Sequence, residues 1–262
     1  MAGEGSPLYA EERRAAILEM LDRDASVQVA QLAEAFGVSR VTVRADLDAL
    51  EQAGKLRRTH GGAVSLRKRV TVSVQERRVN VNVEAKRAIA RAAATFVEDG
   101  DAILVDSGTT SLELVRALGH TRDLTIVTCD LTVADYVDSS MPGAEVVMLG
   151  GHLRKGHRYT SGPLAVAALG LLHPDKSFVC PTAYAPGHGL LTNNREMAEL
   201  KSASLACAER TYVLVDASKV GARGLMVFGQ AQGVDAVIMD ADPDGAVAAD
   251  LECGRARLVL AR

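Results

Sequence analysis

The spacing of apolar residues divides the chain into two parts with different periods. Up to about residue 66, apolar positions recur at helical spacing, which is typical of short amphipathic helices. The helices predicted there cover about residues 10–22, 29–36 and 40–52. Residues 26–29 are expected to form a short strand that pairs with a hairpin at residues 56–64.

From residue 84 onward, near-continuous apolar runs alternate with helical segments. This pattern predicts a C-terminal α/β domain with a mostly parallel sheet covered by helices on both faces. The predicted strands lie at residues 102–106, 124–128, 144–149, 177–180, 211–216, 235–240 and 257–261. The predicted helices lie near residues 84–97, 110–118, 131–138, 162–172, 195–209 and 243–250.

These patterns predict three regions: residues 1–66 as a winged helix-turn-helix, residues 67–83 as a linker, and residues 84–262 as the α/β domain. Residues 67–83 alternate polar and β-branched side chains, so an extended linker and a charged surface strand both remain open.

Residues 29–52 read as two helices joined by a tight turn. Gly37 suits the turn, and Ser39 is a good N-cap for the second helix. Val43, Leu47 and Leu50 predict its buried face. The opposite face carries small polar and cationic side chains suited to a major groove, namely Ser39, Arg40, Thr42 and Arg44.

The hairpin that follows has the composition of a DNA-contacting wing. It is predicted to turn at Gly61–Gly62, and the cations on and beside it are Lys55, Arg57, Arg58 and His60, with no acid among them. Cations beside phosphates release counterions from the duplex. The predicted DNA-binding residues are Ser39, Arg40, Thr42, Arg44, Arg57, Arg58, His60 and Gly61.

The stretch VSRVTVRADLDALEQAGKLRRTHGGAV resembles the winged helix of the DeoR family of bacterial transcriptional repressors. The family wording is close to V-S-x-x-T-I-R-R-D-L, then L-E-x-x-G, then R-x-H-G-G-A. The matching residues are Val38, Ser39, Thr42, Arg44, Asp46, Leu47, Leu50, Glu51, Gly54, Arg58, His60, Gly61, Gly62 and Ala63. Ala45 departs from this wording, since a second arginine is common there.

Composition and charge fit a two-domain DNA binder. The 262 residues carry a net charge of −3, but residues 52–74 hold six Lys or Arg and no acid, so the cationic surface is local. Aromatic residues make up 3% with no Trp, which argues against base stacking on single strands. The chain shows no membrane-length apolar run and no signal-like start, which predicts a cytoplasmic protein without membrane partners.

In the predicted α/β domain, polar residues gather where strands end, which is where such folds bind ligands. Glycines, hydroxyls, carboxylates and cations at four strand ends suit a small, hydroxyl-rich anion. The candidate ligand-binding residues are Ser107, Gly108, Thr109, Thr110, Asp130, Gly151, Arg154, Asp216 and Lys219. Each short motif alone also reads as an ordinary helix cap.

The segments DSGTTSLELVRAL, VTCDLTVADYV, LGGHLRKGHRYTSGPLA and VDASKVG resemble the DeoR sensor domain. The resemblance implies a fold related to ribose-5-phosphate isomerase and CoA transferases, and a phosphorylated sugar or similar effector. It also implies that residues 108–110 hold phosphate, helped by Gly151 and Arg154. Asp130, Asp216 and Lys219 would bond hydroxyls or order the site. Residues 180–184, Cys-Pro-Thr-Ala-Tyr, depart from the family's F-I-G-A-D-G wording and leave the effector's identity open.

Three function classes are weighed: a ligand-responsive regulator, an isomerase- or CoA-transferase-like enzyme with an added DNA-binding module, and a structural nucleoid binder, which would need no ligand pocket. The regulator is favoured, and no catalytic residue is predicted, because residues 180–184 contain no carboxylate base. No Cys or His spacing matches a zinc site, so neither a metal nor a cofactor is expected. Reading two half-sites of duplex operator DNA implies a homo-oligomer.

Overall fold

The computed structural model describes residues 9–24, 26–59, 61–65 and 81–261. The chain divides into two compact units, Met1–Thr71 and Val72–Arg262. Most of the predicted linker, residues 67–80, lies outside the described residues, so its two interpretations remain predictions. The predicted domain boundaries likewise remain predictions.

The N-terminal unit is a winged helix. Its elements are α1 (Ala10–Asp24), β1 (Ser26–Gln28), α2 (Val29–Phe36), α3 (Arg40–Gln52), β2 (Leu56–Thr59) and β3 (Gly62–Ser65). The strands form an antiparallel sheet in the order β1-β3-β2. The three predicted helices and the strand before α2 are confirmed, with α1 two residues longer than predicted.

Apolar side chains at helical spacing build the core of this unit. Val43 and Leu47 of α3 are fully buried against Ile17 of α1 and Leu32 of α2. Gly37 ends α2 with φ of 62°, a left-handed conformation that glycine adopts at little cost. The predicted turn between α2 and α3 therefore has the expected cause.

The C-terminal unit is an α/β domain, as predicted. Its strands are β4 (Ala102–Val105), β5 (Thr125–Thr128), β6 (Glu145–Met148), β7 (His152–Arg154), β8 (Tyr159–Ser161), β9 (Lys176–Val179), β10 (Ala183–Ala185), β11 (Gly189–Thr192), β12 (Arg210–Leu214), β13 (Met226–Gly229), β14 (Ala236–Met239) and β15 (Arg257–Leu260). Its helices are α4 (Val83–Ala94), α5 (Thr109–Ala117), α6 (Leu131–Ser140), α7 (Pro163–Leu169), α8 (Arg195–Ala206) and α9 (Ala246–Leu251).

Seven parallel strands form the central sheet in the order β15-β14-β12-β9-β4-β5-β6. The chain runs outward from β4 through β5 to β6, then returns to build the other half from β9 to β15. The order therefore reverses between β4 and β9. A reversal of strand order leaves a crevice at the carboxyl ends of the two strands, where α/β proteins bind ligands.

The sequence did not predict two smaller sheets. β7 and β8 form an antiparallel hairpin, and β10, β11 and β13 form a three-stranded antiparallel sheet. Each of these strands has only three or four residues. Strands this short show too few alternations for a period of two to stand out.

Candidate DNA-binding surface and ligand cavity

The outer face of α3 presents the predicted DNA-binding side chains. Arg40 and Arg44 are exposed, and Thr42 is half-buried. The exposed Ser39 caps the helix: its hydroxyl accepts the Thr42 N–H at 3.1 Å and lies 2.8 Å from the Thr42 hydroxyl. Ser39 therefore orients the start of α3, while the two arginines extend from it.

A buried ion-pair cluster that the sequence did not reveal fixes α3 against α1. Asp46, 2% exposed, receives Arg13 Nε at 2.6 Å and Arg14 Nε at 3.0 Å. Residues 13 and 46 are far apart in the sequence, so neither the spacing nor the composition indicated the pairing. These ion pairs join α3 to α1.

The cations predicted in the wing have different surroundings in the structure. Arg57 is exposed, whereas the guanidinium of Arg58 turns back toward α3 and lies 3.3 Å from the carboxylate of Asp48. The backbone N–H of Arg58 also donates to Glu51 at 2.7 Å. Arg58 therefore braces the wing against α3 and is not directed outward as expected. His60 lies outside the described residues.

The two glycines of the wing have different roles. Gly61 is exposed and its carbonyl accepts the Val29 N–H at 2.9 Å. Gly62, predicted to share the turn, is instead the first residue of β3 and faces β1, where a Cβ would lie 1.8 Å from the Val27 carbonyl oxygen. Gly62 is required for the close approach of two strands, and a turn conformation does not explain it.

A cavity of about 280 Å³ lies at the carboxyl ends of β4 and β9, a size suited to a small metabolite. Most of the predicted ligand-binding residues line it, namely Ser107, Gly108, Thr109, Thr110, Asp130, Arg154, Asp216 and Lys219. Gly151 does not. Its Cβ would lie 2.5 Å from the Ser161 carbonyl oxygen, so Gly151 allows the hairpin to pack closely.

The first turn of α5 faces this cavity. Gly108 precedes the helix with φ of 145°, and its N–H donates to Asp130 at 3.1 Å. No side chain caps the helix at its N-cap position. The positive end of the helix and its leading N–H groups can therefore serve an anion in the cavity.

Beneath the cavity, a buried ion pair joins β4 to α8. Lys201 donates to the carboxylate of Asp106 and, at 2.8 Å, to the Cys180 carbonyl. Asp106 also accepts the Ser107 and Cys180 backbone N–H groups at 2.7 and 2.9 Å. Burial alone would lower the pKa of Lys201, but the carboxylate outweighs it and holds that pKa above its usual value.

Asp130 and Asp216 are both buried and both act as helix caps. Asp130 accepts the Thr132 N–H at 2.7 Å at the start of α6, and Asp216 accepts the Ser218 N–H at 3.1 Å. Of the two roles that the resemblance implied, bonding hydroxyls or ordering the site, these contacts support ordering for Asp130. Arg154 donates to the Tyr159 hydroxyl at 2.7 Å.

Several cavity residues were missed by the sequence reasoning: Asn82, Lys86, Thr192, Asn193 and Lys201. They come from the N-cap and first turn of α4, from the end of β11 with the residue after it, and from α8, where the sequence analysis identified no motif. The wall then holds four Lys or Arg side chains against two carboxylates, and one of the four, Lys201, pairs with the buried Asp106. This excess of positive charge favours an anionic ligand.

The segment that departs from the family wording divides between wall and core. Cys180, Pro181 and Thr182 line the cavity. Tyr184 does not line the cavity: it is fully buried in the core, and its hydroxyl donates to Asp250 at 2.6 Å. Burial raises the pKa of the Cys180 thiol to about 12.

Two kinds of feature are absent from the described residues. No helix in the described part of the chain is both long and apolar enough to cross a membrane. Among residues 9–24, 26–59, 61–65 and 81–261, no three His, Cys, Asp or Glu side chains are grouped as a metal site would require.

A winged helix followed by an α/β domain with an anion-suited cavity defines the class of ligand-sensing DNA-binding regulators. Residues 13–69 match the model of the DeoR-like helix-turn-helix domain, and residues 81–241 match that of the DeoR C-terminal sensor domain. The chain belongs to the DeoR family, as its sequence motifs predicted.

Three curated relatives, all transcriptional regulators by name, are similar to this chain over most of its length. The transcriptional repressor AccR of Agrobacterium fabrum is 31% identical, covering 88% of this chain and 89% of its own. The HTH-type transcriptional repressor GlcR of Bacillus subtilis is 30% identical, covering 91% and 92%. The uncharacterized HTH-type transcriptional regulator YulB of Bacillus subtilis is 32% identical, covering 92% and 93%. Their names support a regulator and give no support to the enzyme alternative.

Among solved structures, the ribose 5-phosphate isomerase of Methanocaldococcus jannaschii is similar to 53% of this chain and 55% of its own. The TM-score is 0.39 and the identity 18%. The seven-stranded parallel sheet itself establishes the fold class of the C-terminal unit.

Proposed function

We propose that this regulator is a repressor whose affinity for operator DNA changes when a phosphorylated sugar occupies the cavity. The observation that carries the proposal is the conjunction at the β4–β9 crevice of an uncapped helix start, surplus Lys and Arg side chains, and hydroxyls. A phosphate suits the helix start and the cations, and the sugar hydroxyls suit the polar wall.

On the DNA side, Arg40, Thr42 and Arg44 are the proposed groove-facing residues of α3, with Arg57 on the phosphate backbone. Arg58 has a bracing role in this proposal because its guanidinium pairs with Asp48. Two half-sites require two copies of the winged helix, so a homo-oligomer is part of the proposal. A regulator acts where the chromosome lies, so a cytoplasmic location is part of it too.

The ligand half is tested by thermal shift with ribose 5-phosphate, glucose 6-phosphate and fructose 1-phosphate, each compared with the unphosphorylated sugar. A sugar phosphate at a hundred times its Kd should stabilise the C-terminal unit by about 2.7 kcal/mol. Lys219 lines the cavity and is half-buried. Lys219→Ala should weaken binding by about 1.5–3 kcal/mol, the usual loss for a hydrogen bond to a charged group.

The matched control is Lys155→Ala, because Lys155 is exposed and does not line the cavity. It should bind the sugar phosphate as the wild type does. If no sugar phosphate shifts the melting temperature, or if both lysine variants lose binding equally, the cavity is not the effector site.

The DNA half is tested by selecting a duplex from a random library with the wild-type chain and titrating variants against it. Arg44→Ala should weaken this binding by about 1–3 kcal/mol if the guanidinium reads a base. Arg122→Ala, at an arginine with 82% of its side chain exposed in the other unit, should leave binding unchanged. Equal titrations for both variants would remove Arg44 from the interface.

A further inference from the structure

The first described residues of the C-terminal unit are fastened to the cavity wall. Asn82 Nδ2 donates to Asp216 Oδ1 and to Ser218 Oγ, both at 3.1 Å. Lys86 Nζ donates to the Val81 carbonyl at 2.5 Å. Val81 and Asn82 both line the cavity. In the sequence, residue 81 follows the segment that joins this unit to the winged helix.

Asn82 holds a backbone conformation that needs support. Its φ of 52° and ψ of 43° are left-handed, which asparagine tolerates better than most residues but which still costs free energy. Its side chain does not cap α4, although Asn82 occupies the N-cap position. The two bonds to Asp216 and Ser218 are therefore the side-chain contacts that favour this conformation.

The acceptor of this attachment is crowded. Oδ1 of Asp216 receives Asn82 Nδ2, the Ser218 N–H and the Ser218 hydroxyl. A carboxylate oxygen offers about two lone-pair sites, and three donors share this one. The two Ser218 donors belong to the turn that Asp216 itself caps, and Asn82 is the donor that comes from outside it.

We propose that Asn82 is a positioning residue that links effector binding to the segment leading to the winged helix. This role for Asn82 rests on the proposed function of the cavity as the effector site. A sugar hydroxyl that donates to Asp216 takes the place of Asn82 Nδ2, which frees Asn82 from its left-handed conformation. Residues 81–82 then change direction at the start of α4, and the operator-binding geometry changes with them.

The test substitution is Asn82→Gly, which removes both side-chain bonds while glycine still adopts a positive φ freely. Glycine at an N-cap costs only a few tenths of a kcal/mol, so the fold is expected to persist. The matched control is Asp123→Gly, because Asp123 is exposed, has φ of 56° and does not line the cavity. Each full-length variant is titrated with the selected duplex, with and without the sugar phosphate that most stabilises the wild type.

For the wild type and Asp123→Gly, the sugar phosphate should change operator affinity by about 5- to 150-fold, the usual range of allosteric coupling. For Asn82→Gly this ratio should fall toward one, while calorimetry shows sugar-phosphate affinity equal to or tighter than the wild type's. A wild-type ratio in Asn82→Gly overturns the inference and leaves the proposed function standing. Loss of sugar-phosphate binding also overturns it, since Asn82 would then be a ligand contact. A wild type without any response overturns the proposed function itself.

Discussion

The adjacent glycines of the wing allow a sharp test of what holds the winged helix together. Gly62→Ala places a Cβ 1.8 Å from the Val27 carbonyl oxygen, whereas a Cβ on Gly61 meets nothing within 4 Å. The Val27 oxygen belongs to the backbone, so it cannot rotate away as a flexible side chain could. β1 and β3 must separate to accommodate the methyl group.

The cost follows from the geometry. Relief to 3.0 Å, the lower limit of real Cβ contacts, needs a shift of about 1.2 Å, from 1.8 Å. β1 pairs with β3 at three positions, and a shift of that size breaks their hydrogen bonds. Two lost bonds at about 1 kcal/mol each, with about 1–3 kcal/mol of strain, give roughly 3–5 kcal/mol. Gly61→Ala should stay within about 0.5 kcal/mol of the wild type.

The assay is chemical denaturation of the full chain, combined with amide hydrogen exchange read on the peptides that contain β1 and β3. Gly62→Ala should lower the midpoint of the winged-helix transition, speed exchange in both strands and weaken duplex binding. The C-terminal unit should keep its own transition. Equal midpoints for the two alanine variants would show that the strands are not held at this distance, and the packing argument for Gly62 would be wrong.

Three further predictions concern buried polar groups. Asp46→Ala should lower the free energy of unfolding of the winged helix by about 3–5 kcal/mol, measured by denaturation. The substitution removes the carboxylate that the buried guanidinium of Arg13 pairs with. Asp48→Ala, at a carboxylate 57% exposed, should cost less than about 1 kcal/mol. Iodoacetamide at about pH 8 should alkylate the exposed Cys253 and spare Cys180, whose pKa of about 12 leaves little thiolate; equal labelling of both would refute this. Lys201→Met should cost about 3–5 kcal/mol at neutral pH, because it leaves its buried carboxylate partner unpaired. The pKa of Lys201 in the folded protein is raised above its ordinary value of 10.5. The difference in unfolding free energy between the wild type and Lys201→Met should therefore persist from neutral pH up to about 10.5, and shrink only as the pH rises through the folded-state pKa of Lys201.

The sequence predicted the elements whose signals are local. The period of the apolar residues in α3 identified its buried face, and the apolar runs β4, β5, β9, β12 and β14 identified the parallel sheet. The residues after β4 were also recognisable, because Gly and hydroxyl residues between a strand and a helix have a known use. The motif around Ser107–Thr110 therefore marked a wall of the cavity before its geometry was known.

The sequence could not predict contacts between distant positions. Lys201 and Asp106 are 95 residues apart, and Asn82 and Asp216 are 134 residues apart. Each pair depends on how the strands are ordered in the sheet, and the reversal between β4 and β9 cannot be read from hydrophobic periods. Gly62 shows the same limit at short range, since a glycine needed for close strand packing looks like a turn glycine in the sequence.

The acidic residues that follow the strands act mainly by accepting hydrogen bonds from backbone N–H groups. Asp106, Asp130 and Asp216 are each buried and each accept backbone N–H groups from the loop or helix that follows a strand. A carboxylate that accepts several backbone N–H groups fixes the loop that carries them. The N–H dipoles partly offset its negative charge. Arg154 and Lys219 are then the wall cations that pair with no carboxylate within the described chain. The carboxylates order the cavity and these cations give it its preference for an anion. Substitution of Asp106 or Asp130 should therefore lower stability, whereas substitution of Lys219 should lower affinity for the anion.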